Sequence, residues 1–189
     1  MFARGFKSWC ETTALLQRKA IALLPTEPLE PHRLAKHLGV DVLGAEQVPG
    51  VDGDTLRILL KEDPDSWSAI TVSVGQNELI ILNSSHSGGR PASDLAHELS
   101  HILIGHVPAR VDVTEDGLLI LNTYDKGQEE EANWLAGCLL LPREALFEVR
   151  RRRLDDMAAS LEYGVSVAML RFRFNVSGVD SQLNRSRGR

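Results

Sequence analysis

Two histidines four residues apart, and the glutamate that follows the first, could form part of a metal site. They are His97, Glu98 and His101, in the stretch ASDLAHELSHILIGH of residues 92–106. On an α-helix such histidines lie on one face, one turn apart, so that both imidazoles can reach one zinc ion. Glu98 would stand beside them, where it can take a proton from a water molecule that the metal activates. The spacing therefore predicts metal-assisted hydrolysis with Glu98 as general base.

A catalytic zinc site normally has three protein ligands, so the histidine pair predicts a third. A third histidine on the same segment would have to stand at position 107, which is Val107. His106 is one residue short of that spacing. It follows Gly105, and we read it as a polar residue at the helix end, near the negative end of the helix dipole.

The alternative third ligand is a carboxylate from the segment QEEEANWLAGCLLLP, residues 128–142. Its apolar stripe, projected back one turn, brings Glu129 and Glu131 inward and points Glu130 outward. Spacing favours Glu129, because Asn133 stands four residues further on and could orient a ligand histidine. Glu131 remains a rival on periodicity alone.

A peptidase also needs a donor for the negative charge that develops on the scissile carbonyl oxygen. Four side chains are candidates, and the sequence does not rank them: His86, Arg90, His106 and Tyr124.

The surrounding pattern predicts the elements that would hold these residues. Helices are expected at 6–24, at 31–40 and at about 94–105, the last with Ser93 as N-cap. A further helix is expected at 128–141, after Gly127 and before Pro142, and helical pieces are expected over 143–175 with a break near Gly164. Strands are expected at 68–74 and 78–83, which form a hairpin, and at 117–124. The strand at 78–83 is expected to offer an edge to an extended peptide. This order of elements indicates an α+β fold.

Composition limits the classes of protein that fit. The chain has 189 residues and a net charge of −5, which gives no electrostatic reason to expect nucleic acid as the main partner. Its two cysteines, Cys10 and Cys138, form no disulfide framework and favour a reducing cytosol. No apolar run approaches the roughly 20 residues that a membrane span needs. We expect a cytoplasmic protein with no membrane partner.

The joint pattern of HELSH and EEEANWLAGCLLLP resembles the ImmA/IrrE family of metallo-endopeptidases. In that family an HExxH helix is followed by an E-x-x-A-[ND] helix that ends in leucines and a proline, and Glu129, Ala132, Asn133 and Pro142 fit those positions. The similarity extends over roughly residues 68–175. The resemblance implies that His97, His101 and Glu129 bind one zinc ion per chain and that Glu98 acts as general base and acid.

The resemblance also implies a fold and a substrate. The fold would be a small zincin-like domain with a short antiparallel sheet, an HExxH helix, a glutamate helix and a C-terminal helical region. Family members studied as proteases cleave transcriptional repressors of phage, mobile-element or stress-response genes. In this chain RPASDLA replaces the phenylalanine-threonine lead-in to the HExxH helix, which indicates a variant branch whose substrate need not be a repressor.

The expected function is therefore a zinc endopeptidase that cleaves a protein partner, with a helix-turn-helix repressor as the expected substrate. The alternative is a non-catalytic metal-binding regulator or toxin-antitoxin component that binds its partner without cleaving it. The expected organisation is an N-terminal helical region (1–50) packed on the core, a metallopeptidase core (51–142), a C-terminal helical region (143–178) and a disordered tail (179–189).

The C-terminal region has the sequence pattern of a helix-turn-helix, with a turn at Gly164 and a second helix capped by Ser166. Beyond Arg171 and Arg173, that second helix carries few basic residues. We therefore predict a helical hairpin packed on the peptidase and no direct DNA binding.

Overall fold

The structure is a computed structural model that describes residues 2–74, 77–106, 110–113, 119–122 and 125–187. As predicted, the fold is of the α+β class, and helices form most of the described part. The helices are α1 (Phe6–Ala20), α2 (Pro31–Leu38), α3 (Gly53–Arg57), α4 (Arg90–Ile104), α5 (Lys126–Leu140), α6 (Arg143–Arg152), α7 (Asp156–Tyr163), α8 (Val167–Ser177) and α9 (Val179–Arg187). The strands are β1 (Asp41–Gly44), β2 (Ala69–Val74), β3 (Asn77–Leu82), β4 (Arg110–Val113) and β5 (Leu119–Asn122). A π-helical turn over Ile58–Glu62 continues α3.

Strand β3 is the centre of a three-stranded sheet. It pairs with β1 in parallel and with β2 antiparallel, which confirms the predicted hairpin; residues 75 and 76 of the turn lie outside the described residues. The expectation that β3 offers a free edge is wrong, because β3 has a partner on both sides. The edge strands of this sheet are β1 and β2.

Two short strands were not predicted from the sequence. Strand β1 has four residues, too few to establish an alternating pattern, and it forms by pairing with β3. Strand β4 is equally short and pairs antiparallel with β5 in a separate two-stranded sheet. Strand β5 lies within the predicted range 117–124.

Helix α5 contributes to both hydrophobic clusters of the described chain. Its residues Leu135 and Leu139 pack with Leu95 and Leu99 of α4, under the helices α1 and α2 and the strand β3. Its residue Leu140 belongs to the second cluster, which α6, α7 and α8 complete. A helix this deeply buried gives its polar N-terminal turn a fixed position.

Helix α4 begins earlier than predicted. The sequence indicates an N-cap at Ser93, but the N-cap is Gly89 and Pro91 occupies the first turn, where a missing backbone N–H costs nothing. The Ser93 hydroxyl lies inside that turn and donates to the Gly89 carbonyl at 3.0 Å. The predicted end at Gly105 is confirmed, since this residue adopts the left-handed conformation with φ +80°.

Helix α1 is shorter than predicted and ends at Ala20. Ala22 adopts a left-handed conformation with φ +54°, and the Leu23 amide donates to the Arg18 carbonyl at 2.9 Å. The chain thus turns away from the helix three residues before Pro25. Helix α2 ends at Gly39 as the sequence predicts, and Gly164, with φ +63°, separates α7 from α8 as predicted.

The C-terminal tail is helical where the sequence predicts disorder, because α9 covers Val179–Arg187. Val179 is fully buried in the second hydrophobic cluster, and Asp180 accepts hydrogen bonds from Arg150 at 2.7 and 2.9 Å. The polar composition of the tail gives no sign of these long-range contacts. Among the described residues, no helix has the length and apolar character to cross a membrane.

Candidate metal centre

Helix α4 presents both predicted ligand histidines on one face. Leu95 and Leu99 are fully buried on the opposite side and fix the rotation of the helix against α5. The Nε2 atoms of His97 and His101 are 3.0 Å apart, and each side chain is 20% exposed. Both imidazoles therefore point at the same place and remain open to solvent there.

Helix α5 brings a carboxylate to the same place. Asp125 caps the helix by accepting from the Gly127 amide at 2.7 Å, and Glu129 follows in the first turn. The Glu129 oxygens lie 3.1 Å from His97 Nε2 and 3.4 Å from His101 Nε2. The structure thus brings together His97, His101 and Glu129 as a group that could hold a metal ion. Glu130 points to solvent, as the helical periodicity predicts.

The separations between these three donors suit a tetrahedral ion. An ion about 2.0–2.1 Å from each donor at tetrahedral angles holds the donors about 3.3–3.4 Å apart. The His97 Nδ1 atom lies 3.2 Å from the Asn133 Oδ1 atom, so it carries the ring proton and leaves Nε2 with a lone pair. Lone pairs that converge at this distance repel one another unless a cation lies between them. The donor set therefore fits a zinc ion.

Asn133 occupies the position that the sequence predicts. Its side-chain oxygen accepts from His97 and fixes the orientation of that ring. His101 is oriented by a different residue, His106, whose Nδ1 lies 2.9 Å from His101 Nδ1. The Nε2 atom of His106 lies 3.2 Å from Glu131. Glu131 is thus turned inward, as its periodicity allows, but its contact is with His106.

Burial lowers the pKa of His101 to about 4, and the neighbouring His97 and His106 lower it further in the same direction. A histidine with this pKa is neutral at physiological pH, which is the form that binds a metal ion.

Glu98 lies beside the three donors and contacts the sheet. Its Oε2 accepts a hydrogen bond from the Thr71 hydroxyl at 2.5 Å. Burial raises the pKa of Glu98 above its usual value, while the Thr71 hydrogen bond and the neighbouring His97 oppose this change. A carboxylate in a drier environment is a stronger base, and this suits the role of general base.

Sequence reasoning missed Thr71. It lies on β2 opposite Ile80, a fully buried residue of β3, and so faces α4 rather than solvent. In the alternating pattern AITVSV, however, threonine occupies a position that normally faces water. A hydroxyl on a strand of the hairpin that precedes the HExxH helix is the one signal that could have found it.

Two oxyanion candidates are held by other contacts. The ring nitrogens of His86 lie 3.1 Å from an Asp94 oxygen and 3.1 Å from the Pro64 carbonyl, which leaves neither nitrogen free to donate to a substrate. Arg90 donates to Asp65 at 2.8 Å at the start of α4. The sequence could not show the contacts with Pro64 and Asp65, because both residues lie in the loop before β2, far from His86 and Arg90 along the chain.

The other two oxyanion candidates have different outcomes. Both ring nitrogens of His106 are taken up by His101 and Glu131, so His106 is not placed to donate to a substrate oxygen. Tyr124 lies outside the described residues.

Comparison with protein families supports this geometry. Residues 35–175 match the family model of the IrrE N-terminal-like domain, which is a peptidase family. This match covers well over half of the chain, so the chain belongs to the ImmA/IrrE family of metallopeptidase-type proteins. The resemblance that the HELSH and EEEAN motifs indicate is thereby confirmed. No curated protein and no solved structure matches the chain.

Proposed function

We propose that the chain is a zinc-dependent endopeptidase that cleaves a protein partner, with a DNA-binding transcriptional repressor as its substrate. The observation that carries this proposal is the convergence of His97, His101 and Glu129 on one point, with Glu98 beside them. Family membership supports a metallopeptidase, and the donor set supports zinc.

Different residues of the site would bind the metal and transfer the proton. His97, His101 and Glu129 would hold a zinc ion, which would supply a Lewis acid to polarise the scissile carbonyl and to lower the pKa of water toward about 7. Glu98 takes the proton of the attacking water and delivers it to the nitrogen of the leaving amine. Because Thr71 holds the Oε2 atom of Glu98, the Oε1 atom is left for this transfer.

The substrate segment would bind in an extended conformation beside β2. Strand β2 is an edge of the sheet, and Thr71 in its middle contacts Glu98. A peptide that pairs with the free edge of β2 would run past the catalytic glutamate, with backbone hydrogen bonds supplying affinity independent of sequence. An extended linker of a repressor meets this requirement.

Two further observations support a cytoplasmic protein that acts on a protein rather than on DNA. Arg173 is fully buried and cannot reach a phosphate or a base, and Arg171 donates to Asp156 at 2.7 Å, which offsets the charge of this second arginine of α8. Cys10 and Cys138 are free, buried thiols, which suits a reducing compartment.

The proposal is tested by comparing two glutamate-to-glutamine substitutions, one at Glu98 and one at Glu130. Glu98→Gln removes the base but not a ligand, so we expect the variant to keep one zinc per chain, to capture the partner and to leave it intact. The wild-type protein should cleave the same purified partner, and chelation should stop the cleavage until zinc is returned. Glu130→Gln, a change on the exposed side of α5, is the matched control and should cleave at the wild-type rate.

Three results would contradict the proposal. A wild-type protein that binds less than about a tenth of a zinc ion per chain on titration has no such site. Cleavage by Glu98→Gln at the wild-type rate would remove Glu98 from the mechanism. A partner that binds the zinc-loaded wild-type protein and is never cleaved would indicate the non-catalytic regulator.

A further inference from the structure

A chain of hydrogen bonds leads from His101 away from the metal centre. Its Nδ1 atom lies 2.9 Å from His106 Nδ1, and His106 Nε2 lies 3.2 Å from Glu131 Oε2. The His106 side chain is only 7% exposed, and that of Glu131 is 29% exposed. Polar groups buried to this degree cost free energy unless each donor meets an acceptor.

The helix end explains why His106 reaches back to His101. Gly105 is left-handed, and its amide donates to the Ile102 carbonyl at 3.1 Å, while the His106 amide donates to the His101 carbonyl at 3.0 Å. This pair of bonds is a Schellman motif, which folds the residue after the glycine over the last turn of the helix. Backbone and side chain of His106 thus both contact His101.

The donor and acceptor of each hydrogen bond in this chain follow from the protonation of His101. The Nε2 atom of His101 faces His97 and Glu129, so the ring proton of a neutral His101 belongs on Nδ1. That N–H donates to His106 Nδ1, which must then be the acceptor. His106 therefore carries its own proton on Nε2 and donates it to the Glu131 carboxylate. Every donor along the chain meets one acceptor.

We propose that His106 and Glu131 are positioning residues for His101, which hold its ring in the tautomer and orientation that bind the metal. The inference rests on the metal site of the proposed function. The inference also explains why His106 is buried beside the metal centre although it is one residue away from the position of a third histidine ligand. It further explains why Glu131 turns inward and contacts His106 rather than His97 or His101.

The test compares two substitutions at one position whose side chains have the same branching and the same number of heavy atoms. His106→Asn places an acceptor near the former Nδ1 atom, whereas His106→Leu places none. Zinc affinity is measured by competition with a chelator, and the thermal unfolding of the metal-free proteins reports on the fold. We expect His106→Leu to bind zinc about 10–100-fold more weakly than the wild-type protein and His106→Asn to recover most of the loss.

Substitutions of the glutamates complete the test. Glu131→Gln keeps the size of the side chain and should weaken zinc binding less than His106→Leu, because it removes only the charge at the end of the chain. Glu130→Gln is the matched control and should bind zinc like the wild-type protein. Glu129→Gln should weaken binding well beyond any of these, because Glu129 contributes a donor atom to the group itself.

The outcomes separate this inference from the proposed function. If the wild-type protein takes up no zinc, the proposed function fails. If the wild-type protein binds zinc and His106→Leu binds it equally well, the positioning role of His106 is wrong while the metal site stands. An equal loss in His106→Asn and His106→Leu would contradict the role of the hydrogen bond and would assign the effect to lost packing of the ring.

Discussion

Glu98 is subject to two opposing effects. Burial disfavours its charged form and raises its pKa, whereas the hydroxyl of Thr71 donates to that charged form and lowers it. The hydrogen bond also fixes which carboxylate oxygen remains available. A base that is desolvated and held in one orientation needs little rearrangement when a proton is transferred. Thr71 therefore acts on the reaction through Glu98 rather than by touching the substrate.

We expect Thr71→Val to lower kcat for cleavage of the partner about 10- to 100-fold, because a hydrogen bond to a charged group is worth about 1.5–3 kcal/mol. KM should change little, since Glu98 does not bind the ground state. Thr71→Ser keeps the hydroxyl and should retain most of the activity. Steady-state kinetics of the three proteins check this expectation. Equal losses in the serine and valine variants would assign Thr71 a packing role only.

The sequence predicts those parts of the site that depend on local spacing. His97, Glu98 and His101 follow from the period of one helix, and the places of Glu129 and Asn133 follow from the period of another. The contacts of Thr71 and His106 could not be predicted in this way. One depends on how a sheet packs on α4, and the other on a left-handed turn that reverses the chain after the helix.

At the scale of elements, α9 shows how long-range contacts change a local preference. Nothing in the composition of the tail favours an ordered helix, yet Val179 is buried and Asp180 binds Arg150 at two points. The strands β1 and β4 are similar cases, because each has four residues and forms only when a partner strand is present. Elements with a strong period of their own, such as α4 and α5, were predicted and needed only shifts at their ends.

Asp180→Asn should loosen α9, since it removes the charge that Arg150 binds. The pair is partly exposed, so we expect a loss of at most about 1 kcal/mol, confined to this helix. Hydrogen exchange of residues 180–187, corrected for the intrinsic rate, checks this expectation. Asp54→Asn, at a side chain that is 91% exposed, is the control and should leave the exchange of α9 unchanged.

The same contact predicts a pH dependence. The hydrogen bond to Arg150 lowers the pKa of Asp180 below its usual value of 3.8, so the pair stabilises α9 above that value. This contribution is lost as the pH falls through the pKa of the folded state. The protection of wild-type α9 should therefore fall as the pH is lowered below 3.8, and the difference from Asp180→Asn should vanish once the pH is below the folded-state pKa of Asp180. A difference that persists in acid would contradict this account.

At the scale of the whole molecule, the start of α4 packs directly against the turn between α7 and α8. A Cβ atom built on Gly89 would lie 2.7–2.9 Å from backbone atoms of Val165 and Ser166, closer than atoms can approach. The contact joins the helix of the metal centre to the C-terminal helices. Glycine is required here by space rather than by backbone conformation.

Gly89→Ala should therefore lower the free energy of unfolding by about 1–3 kcal/mol, because backbone cannot move aside as a flexible side chain does. Urea unfolding of the metal-free protein gives this value. Gly53→Ala is the matched control, since a Cβ there meets nothing within 4 Å, and it should be neutral or slightly stabilising. If the two variants have equal stability, the close packing of Gly89 does not exist in solution.

Helix α5 carries Glu129 near one end and is held at the other by two buried arginines. Arg18 donates to the Leu139 and Leu140 carbonyls at 2.8 and 3.1 Å, and Arg173 donates to the Leu141 carbonyl at 3.0 Å. About 16 Å of helix separates the carboxylate from these contacts. The two ends are thermodynamically linked, because the apparent metal affinity decreases when fewer molecules have α5 packed in its native position. A substitution that disrupts the core around Arg18 would thus be detected first as weaker metal binding, in a protein that still retains most of its fold.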